Sequence, residues 1–443
     1  MSRVKDETEV TQKAASGATS TPAEAAETPA AAAATAVPGY RELLAQPGMR
    51  RVLTGMLLGR TAEMAVEVAI VLFVLARYHS PPLAGAAVFC AIVPGLLLSP
   101  VAGALLDRHG RARLVVLDYL VAGGSIALIA LLSVLGHLPA GWLLVLLVGK
   151  SLTNPLSNSG LRSLFPLMLP RRLWDRANAV DSSSFVIAMV VGPAIAGTLV
   201  ATLGGEGALL VAALLFMAAA IATHGIPEPA SNGNTDDHVL RAALRGMVYV
   251  ARNPTLRGLG ITVSVFNLGY GTFQVALPVV LADRFHRGAA TAGLMLAILG
   301  ATGFISGLIA GRMDSRGKER RLLAVGGALS AVGLLVVAGA PLLVGVAVGT
   351  GVMGLANGPF DIGLFALRQR RTPSAWLGRA FAVSMSFNFF GFPLGSALGG
   401  PIVARSAGLA LVLAAATQVV AGGLIYLLVP RHAANDGERT APS

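Results

Sequence analysis

The sequence predicts an all-α membrane protein: twelve transmembrane helices in two pseudo-symmetric six-helix halves. Three observations carry that prediction. The composition is too apolar for a water-soluble fold, the apolar residues fall into runs of bilayer length, and the first six runs resemble the last six.

Of 443 residues, 54% are hydrophobic and 13% charged, with a mean hydropathy of +0.70. Soluble domains carry about 25% charged residues. The net charge of +12 does not imply nucleic acid, because the arginines stand between apolar runs and form no continuous stripe. The lone cysteine, Cys90, lies inside an apolar run; it reads as a small core-facing hydrophobe, with no intrachain disulfide and no redox role.

A helix needs about 20 mostly apolar residues to cross a bilayer. Such runs begin near Val52, Pro82, Leu114, Trp142, Ala177 and Gly205, and again near Leu259, Ala290, Leu322, Pro341, Ala380 and Gly408. Residues 1–48 precede them as an Ala-, Thr-, Pro- and Ser-rich tail with little to pack, expected to be disordered and retained. The first six-helix half is expected over residues 49–225 and the second over 257–429. Between them residues 226–256 form a linker, in which Val239, Leu240, Ala243, Leu244, Met247 and Val250 alternate with Arg241, Arg245 and Arg252 as an amphipathic helix would. Residues 430–443 are a short tail.

Orientation follows from the basic residues. Of 34 Lys and Arg, 28 fall on the side of the two termini. Only Arg77, Arg284, Arg287 and Arg405 lie opposite, and Arg60 and Lys150 lie within spans. The positive-inside rule puts both termini in the cytoplasm.

The repeat is explicit. Asp107-Arg-His-Gly-Arg111 aligns with Asp314-Ser-Arg-Gly-Lys318 at an offset of 207, as do Arg77-Tyr-His79 with Arg284-Phe-His286 and Arg50 with Arg257. Farther on an offset of 203 fits better, matching Arg176-Ala-Asn-Ala-Val180 to Arg379-Ala-Phe-Ala-Val383, Asn154 to Asn357, and Asn158 to Asp361. Six spans separate equivalent residues, so the halves run parallel about an axis along the membrane normal.

These residues carry a resemblance to major facilitator transporters, over about Gln46 to Pro430. Gly103-Ala-Leu-Leu-Asp107-Arg108-His-Gly110-Arg111-Ala-Arg113 resembles the superfamily's signature between spans two and three, and Asp314, Gly317 and Lys318 form the weaker copy between spans eight and nine. The resemblance implies a gating loop that stabilises the outward-facing state; serving only as topology determinants is the other reading of the arginines. Ser182-Ser-Ser-Phe-Val-Ile-Ala188-Met-Val-Val-Gly192-Pro193-Ala-Ile-Ala196-Gly197 is similar to the antiporter motif of drug exporters, with alanine at two usual glycine positions. With Arg176-Ala-Asn-Ala-Val it resembles the third drug:proton antiporter branch, which includes macrolide and siderophore exporters. Read physically, Ala188, Gly192 and Ala196 form a small-residue stripe, repeated as Gly391, Gly395 and Gly399. Such stripes let helices pack closely, and antiport and plain packing explain them equally.

Charge inside the spans is the remaining signal, because it is costly there. Arg60, Glu63 and Glu67 share one stripe of span one at 100° per residue. Their repeat partners Asn267, Tyr270 and Gln274 are polar but neutral, so the charge belongs to the first half. Lys150 and Asn154 in span four, and Asn357 and Asp361 in span ten, add further candidates for a substrate cavity. Two readings stand for span one: a buried ion-pair network that fixes helix packing, or a proton-coupling site. Glu63 is first choice for the proton, since the resembled branch usually has an acid in span one, and Glu67 second. Asp118 and Asp181 are expected to cap helices or pair with loop arginines.

Gly149-Lys150-Ser151 imitates a phosphate-binding loop, but Leu144 stands where the motif needs glycine. No metal, cofactor or enzymatic motif appears. The expectation is a monomeric secondary transporter in the cell membrane, exporting a hydrophobic or amphiphilic small molecule against protons. Import of a nutrient with protons, or a non-transporting sensor or scaffold, are the alternatives.

Overall fold

In hydrocarbon every backbone amide must find its partner within the chain, so apolar runs of this length close into helices. The computed structural model describes residues 39–227, 247–372 and 377–431. Within these, the side chains of Pro100, Ala104, Asp107, Ser386 and 377–383 lie outside the described set. Spans one to four are Met49–Tyr78, Pro81–His109, Arg111–Val134 and Ala140–Met168. Spans five and six form one continuous stretch, Trp174–Thr223, broken where Gly204 takes φ 77° and ψ 175°. That backbone is open to glycine and strained for other residues. Spans seven to twelve are Pro254–Phe285, Ala289–Ala310, Glu319–Gly339, Leu343–Arg370, Leu377–Arg405 and Ala407–Leu428.

Nine helices among the described residues are long and apolar enough to cross a membrane by length and composition alone, the stretch holding spans five and six counted as one. Spans one and four fall below that measure. They are the two that carry Arg60, Glu63 and Glu67, and Lys150, Asn154 and Asn158.

The duplication reaches the backbone. Span one ends at His79 and span seven at His286, both in the left-handed region at φ 48° and 52°, and each amide caps a carbonyl one turn back. The two residues are 207 apart.

Two regions differ from expectation or lie beyond view. Residues 40–48 were expected within a disordered tail, but Tyr40–Ala45 is helical. Leu43 is fully buried, Glu42 pairs with Arg172 at 2.6 Å, and the Arg176 guanidinium stands 5.3 Å from the Tyr40 ring centre. One large apolar side chain and two cations hold the segment to the bundle. The tail before residue 39, most of the expected linker helix (228–246) and residues 432–443 lie outside the described residues; 247–252 is helical, with Tyr249 and Val250 buried against Leu256.

Within each half, spans one and five pack along their length, as do seven and eleven; between halves, span two lies on eleven and span five on eight. Glycine sets these distances. A Cβ at Gly192 would lie 2.5 Å from Cβ of Met64, and one at Gly395 would strike the Leu268 backbone, 2.6 Å from its Cα. Between halves, a Cβ at Gly293 would lie 2.7 Å from Cα of Gly197, and one at Gly400 2.6 Å from the Pro81 carbonyl oxygen. All these inter-half contacts cluster at the end that carries the connections between spans one and two and between seven and eight. The halves are closed against each other there.

These contacts separate two kinds of glycine. Gly395→Leu, inside the second half, should lower the thermal midpoint sharply, since overpacking costs about 1–3 kcal/mol or more when backbone is the obstacle. Substituting lipid-facing Leu427, 80% exposed, with Phe should change it little. Gly293→Leu should instead leave the halves intact and shift the equilibrium toward opening at the closed end, read as raised labelling of a cysteine placed at Ala289. Equal melting behaviour in all three variants contradicts this assignment of faces.

Candidate polar centre of the bundle

Span one is the hub. Arg60 crosses to span five, where Nη2 donates to the Asp181 carboxylate at 2.5 Å, and Nη1 donates to the Asp181 carbonyl at 2.7 Å and to Ser184 Oγ at 2.6 Å. Arg162, from span four, forms an ion pair with the other Asp181 oxygen, Nε to Oδ2 3.1 Å. One turn farther along span one, Glu63 accepts from Lys150 Nζ with both carboxylate oxygens, at 2.7 and 2.8 Å. The Lys150 side chain is 1% exposed, and its ammonium also lies 6.0 Å from the Phe216 ring centre.

The sequence stripe is therefore divided. Arg60 goes to Asp181, Glu63 goes to Lys150, and Glu67 has neither hydrogen-bond nor ion-pair partner among the described residues. Glu63 and Lys150 are both within electrostatic reach of Glu67. Of the expected cavity residues, Lys150 is thus sealed in a helix-to-helix pair and does not line open space. Asp181 pairs with an arginine, as expected, but with Arg60 inside the membrane as well as Arg162. Asp118 departs from expectation: it is buried about two turns inside span three, facing Thr153 and Ser157 of span four, and caps no helix end.

The second half repeats these links with neutral groups. Asn267 Nδ2 donates to the Asn388 carbonyl at 2.7 Å, as Arg60 donates to that of Asp181. Tyr270 donates to Asn357 Oδ1 at 3.0 Å, as Lys150 joins Glu63. Each pair spans the same sequence distance as its counterpart, 121 residues in one case and 87 in the other. The packing register is therefore 207 throughout, so Lys150 answers to Asn357, Asn154 to Asp361 and Asp181 to Asn388. The offset of 203 read from sequence is shorter by four residues, about one helical turn, which keeps the same face.

Sequence reasoning missed the second-half counterpart of the arginine pair. Arg368 is fully buried. It donates to Met385 Sδ at 3.1 Å, and with the Asn388 amide turned to satisfy its neighbours, Nη2 donates to Asn388 Oδ1 at 2.6 Å. The register of 207 was the signal that could have found it, since it sets Asn388 opposite Asp181.

The remaining candidates sit as follows. Asn154 accepts from Asn158 Nδ2 at 2.7 Å, Gln274 is half-buried, and Asp361 is exposed although it lies in the body of span ten. The residues of the expected gating motif are at the end of the bundle bearing the termini. Gly110, at φ 90°, turns the chain from span two into span three; Arg108 is exposed, and the Asp107 side chain lies outside the described residues. In the second copy Asp314 Oδ1 accepts from the Arg316 amide at 3.1 Å, Gly317 has φ 71°, and Lys318 is exposed. Close by, Glu319 joins spans nine and ten by accepting from Arg370.

The Major Facilitator Superfamily profile matches residues 52–316 and 259–442. The chain belongs to the Major Facilitator Superfamily. An uncharacterised MFS-type transporter, y4rN of Sinorhizobium fredii, is 36% identical over 384 residues, covering 86% of this chain and 95% of that protein. The multidrug efflux pump Tap of Mycolicibacterium fortuitum is 28% identical, covering 76% and 85%. Macrolide efflux protein A of Streptococcus pyogenes is 22% identical, covering 74% and 83%. Among solved structures, the nucleoside transporter NupG aligns with a TM-score of 0.69 at 14% identity, over 86% of this chain and 99% of that one. A bacterial homologue of the lysosomal transporter Spinster, inward-facing and unoccupied, aligns at 0.67 and 13%, over 88% and 98%. This facilitator is thus a multi-pass membrane transporter and not an enzyme.

The Asp181 network yields a graded expectation. Asp181→Ala strands the Arg60 guanidinium inside the bundle, and losing one partner of a buried pair costs about 3–5 kcal/mol. Arg162, whose side chain is 54% exposed, should contribute under about 1 kcal/mol. Thermal melting of the purified variants checks the order: Asp181→Ala well below Arg162→Ala, with Arg162→Ala close to the parent. Equal losses would mean that Asp181 serves Arg162 and not Arg60.

Proposed function

We propose that this transporter exports a hydrophobic or amphiphilic small molecule in exchange for protons, by alternating access, with both termini in the cytoplasm. The efflux names of the relatives and the bias of basic residues toward the termini support that direction. On this orientation the closed end faces outward.

The observation that carries proton coupling is the ratio of acids to bases at the centre of span one. Glu63 and Glu67 stand one turn apart, and one ammonium, that of Lys150, is within reach of both. The carboxylate that Lys150 leaves is the one that takes the proton. In the described arrangement Lys150 holds Glu63, so Glu67 is the proton's place. A shift of span one against span four moves Lys150 to Glu67 and hands the proton on. Such an exchange ties proton movement to helix movement without leaving a bare charge in the bilayer. Both acids take part, and Glu67, the second choice from sequence, becomes the carrier.

Everted membrane vesicles with an acid lumen test this. A panel of cationic, neutral and anionic amphiphiles is added singly, and lumenal pH is followed by dye. A transported amphiphile should enter as protons leave, raising lumenal pH. Glu67→Gln should abolish that signal, keep amphiphile binding within about twofold, and leave the melting temperature unchanged, because no bond is lost. Glu63→Gln should also stop transport but lower the melting temperature, because it weakens the grip on buried Lys150. Undiminished proton release in Glu67→Gln overturns Glu67 as carrier; uptake with protons into right-side-out cells, without the vesicle signal, makes the protein an importer.

A further inference from the structure

Asp118 is a buried acid that none of the pairs above accounts for. It is 2% exposed, and its Oδ1 has no hydrogen-bond partner among the described residues. The nearby cations are engaged elsewhere: Arg60 holds Asp181, and Lys150 holds Glu63. Burying a carboxylate costs free energy unless a cation or a proton answers it. What faces Asp118 instead is a pair of span-four hydroxyls, Thr153 and Ser157. Each also lies 3.2 Å from a carbonyl of its own helix, that of Lys150 and that of Asn154. A hydroxyl has one hydrogen and can turn. Turned to Asp118, it donates to a carboxylate; left on its carbonyl, it accepts from a carboxyl. The pocket suits both protonation states, which a fixed arginine would not.

Its height in the bundle gives the pocket a direction. The neighbouring Tyr119 hydroxyl donates to the Gly55 carbonyl at 3.3 Å, and a Cβ at Gly59 would strike the Tyr119 ring. Asp118 therefore stands level with Gly55 to Gly59 of span one. That is about 6–12 Å from Glu63, toward the end bearing the termini. Three acids follow one another along the bundle: Glu67, Glu63, Asp118. Lys150 is bonded to the middle one and within electrostatic reach of the other two. Farther toward the termini span four turns polar, with Ser157 half-buried and Asn158, Ser159 and Arg162 exposed. The other charged groups near this level are Glu63, which reaches Asp118, and Arg60, which reaches Tyr119. Span six, packed on the opposite side, has no charged residue from Gly207 to Thr223.

We propose that Asp118 is the relay through which the coupled proton leaves span one for the cytoplasm. This rests on the antiport reading and adds the proton's exit to it. When Lys150 moves to Glu67, the proton stands on Glu63. The Glu63 O–H bond then breaks as one forms on Asp118, with the Thr153 hydroxyl placed to bridge them. A carboxyl and a carboxylate have exchanged one proton, so the charge of the pair is unchanged. Asp118 next gives that proton to water beyond Ser157 and returns to a carboxylate, toward which the two hydroxyls turn.

Infrared difference spectra of the full chain in lipid nanodiscs, taken between alkaline and acid buffer, test the relay with no substrate present. A carboxylic C=O band is expected that is lost in Asp118→Asn and whose midpoint moves in Glu63→Gln, because the two acids share a proton. If Asp118→Asn removes no acid-dependent band, Asp118 is a structural group and the proposal is overturned. A midpoint indifferent to Glu63→Gln overturns it too. In the vesicle assay Asp118→Asn should slow amphiphile-driven proton release about a hundredfold, the low end for loss of a positioned proton-transfer group. Amphiphile exchange without a pH gradient should persist in that variant, and Asp118→Glu should recover most of the proton rate. Exchange slowed as much as proton release would mark a packing defect and sink the relay. The two readings fail separately. If the parent releases protons and Asp118→Asn does so as fast, antiport stands and the relay falls. If the Asp118 band behaves as expected but no amphiphile releases protons, the linked acids stand and amphiphile antiport falls.

Discussion

Charge placed in hydrocarbon has to be answered by charge, and that constraint organises the first half. The body of span one carries three charged groups, and two are satisfied only by reaching a different neighbour: Arg60 to span five, Glu63 to span four. Each link holds a helix at a fixed height and rotation, which apolar packing alone does with less precision. Removing a partner from such a link strands a charge at a cost of several kcal/mol, so these side chains fix the three-helix arrangement more firmly than the many leucines around them.

The second half reaches the same geometry without the charge. Asn267 and Tyr270 occupy the places of Arg60 and Glu63 and make bonds of the same reach to spans eleven and ten. Neutral hydrogen bonds satisfy the groups but do not penalise displacement so heavily. The duplicated halves therefore differ less in shape than in stiffness and in what they can hold. The half with paired charges is the one in which the proposed function places the proton. The half with neutral links keeps one carboxylate, Asp361, uncommitted.

Much of this could be read from the chain. Hydropathy and spacing gave the twelve spans, because the bilayer converts length and composition directly into structure. The repeat gave the two halves, and the cost of intramembrane charge gave Arg60, Glu63, Glu67, Lys150 and Asp361. Partnership was less legible. Helical periodicity grouped Arg60 with Glu63 and Glu67, but a helix has neighbours on several sides: Arg60 went to span five, Glu63 to span four, and Glu67 pairs with neither. Asp181 looked like a residue of a helix end because it follows a loop closely in sequence, whereas Arg60 is long enough to reach it from within the bundle. The four-residue slip in the repeat register was invisible for the reason that makes it harmless: it preserves the face. Arg368 drew no attention because it ends span ten amid other basic residues, where arginine is the rule.

The approach of Gly197 to Gly293 has a consequence for the speed and symmetry of switching. Most interfaces that open and close must freeze and release side chains, and each rotamer-rich group immobilised costs about 0.5–1.5 kcal/mol. Backbone laid on backbone has no rotamers to lose. Nor does this contact contain a hydrogen bond that water or lipid would have to replace. Its cohesion is dispersion alone, short in range and gone within an ångström or so of separation. The closed end is thus held by a latch that grips only at contact and leaves little enthalpic debt when released. On the proposed antiport reading, the balance between the two faces is left to the proton and the cargo, and not to the seam itself.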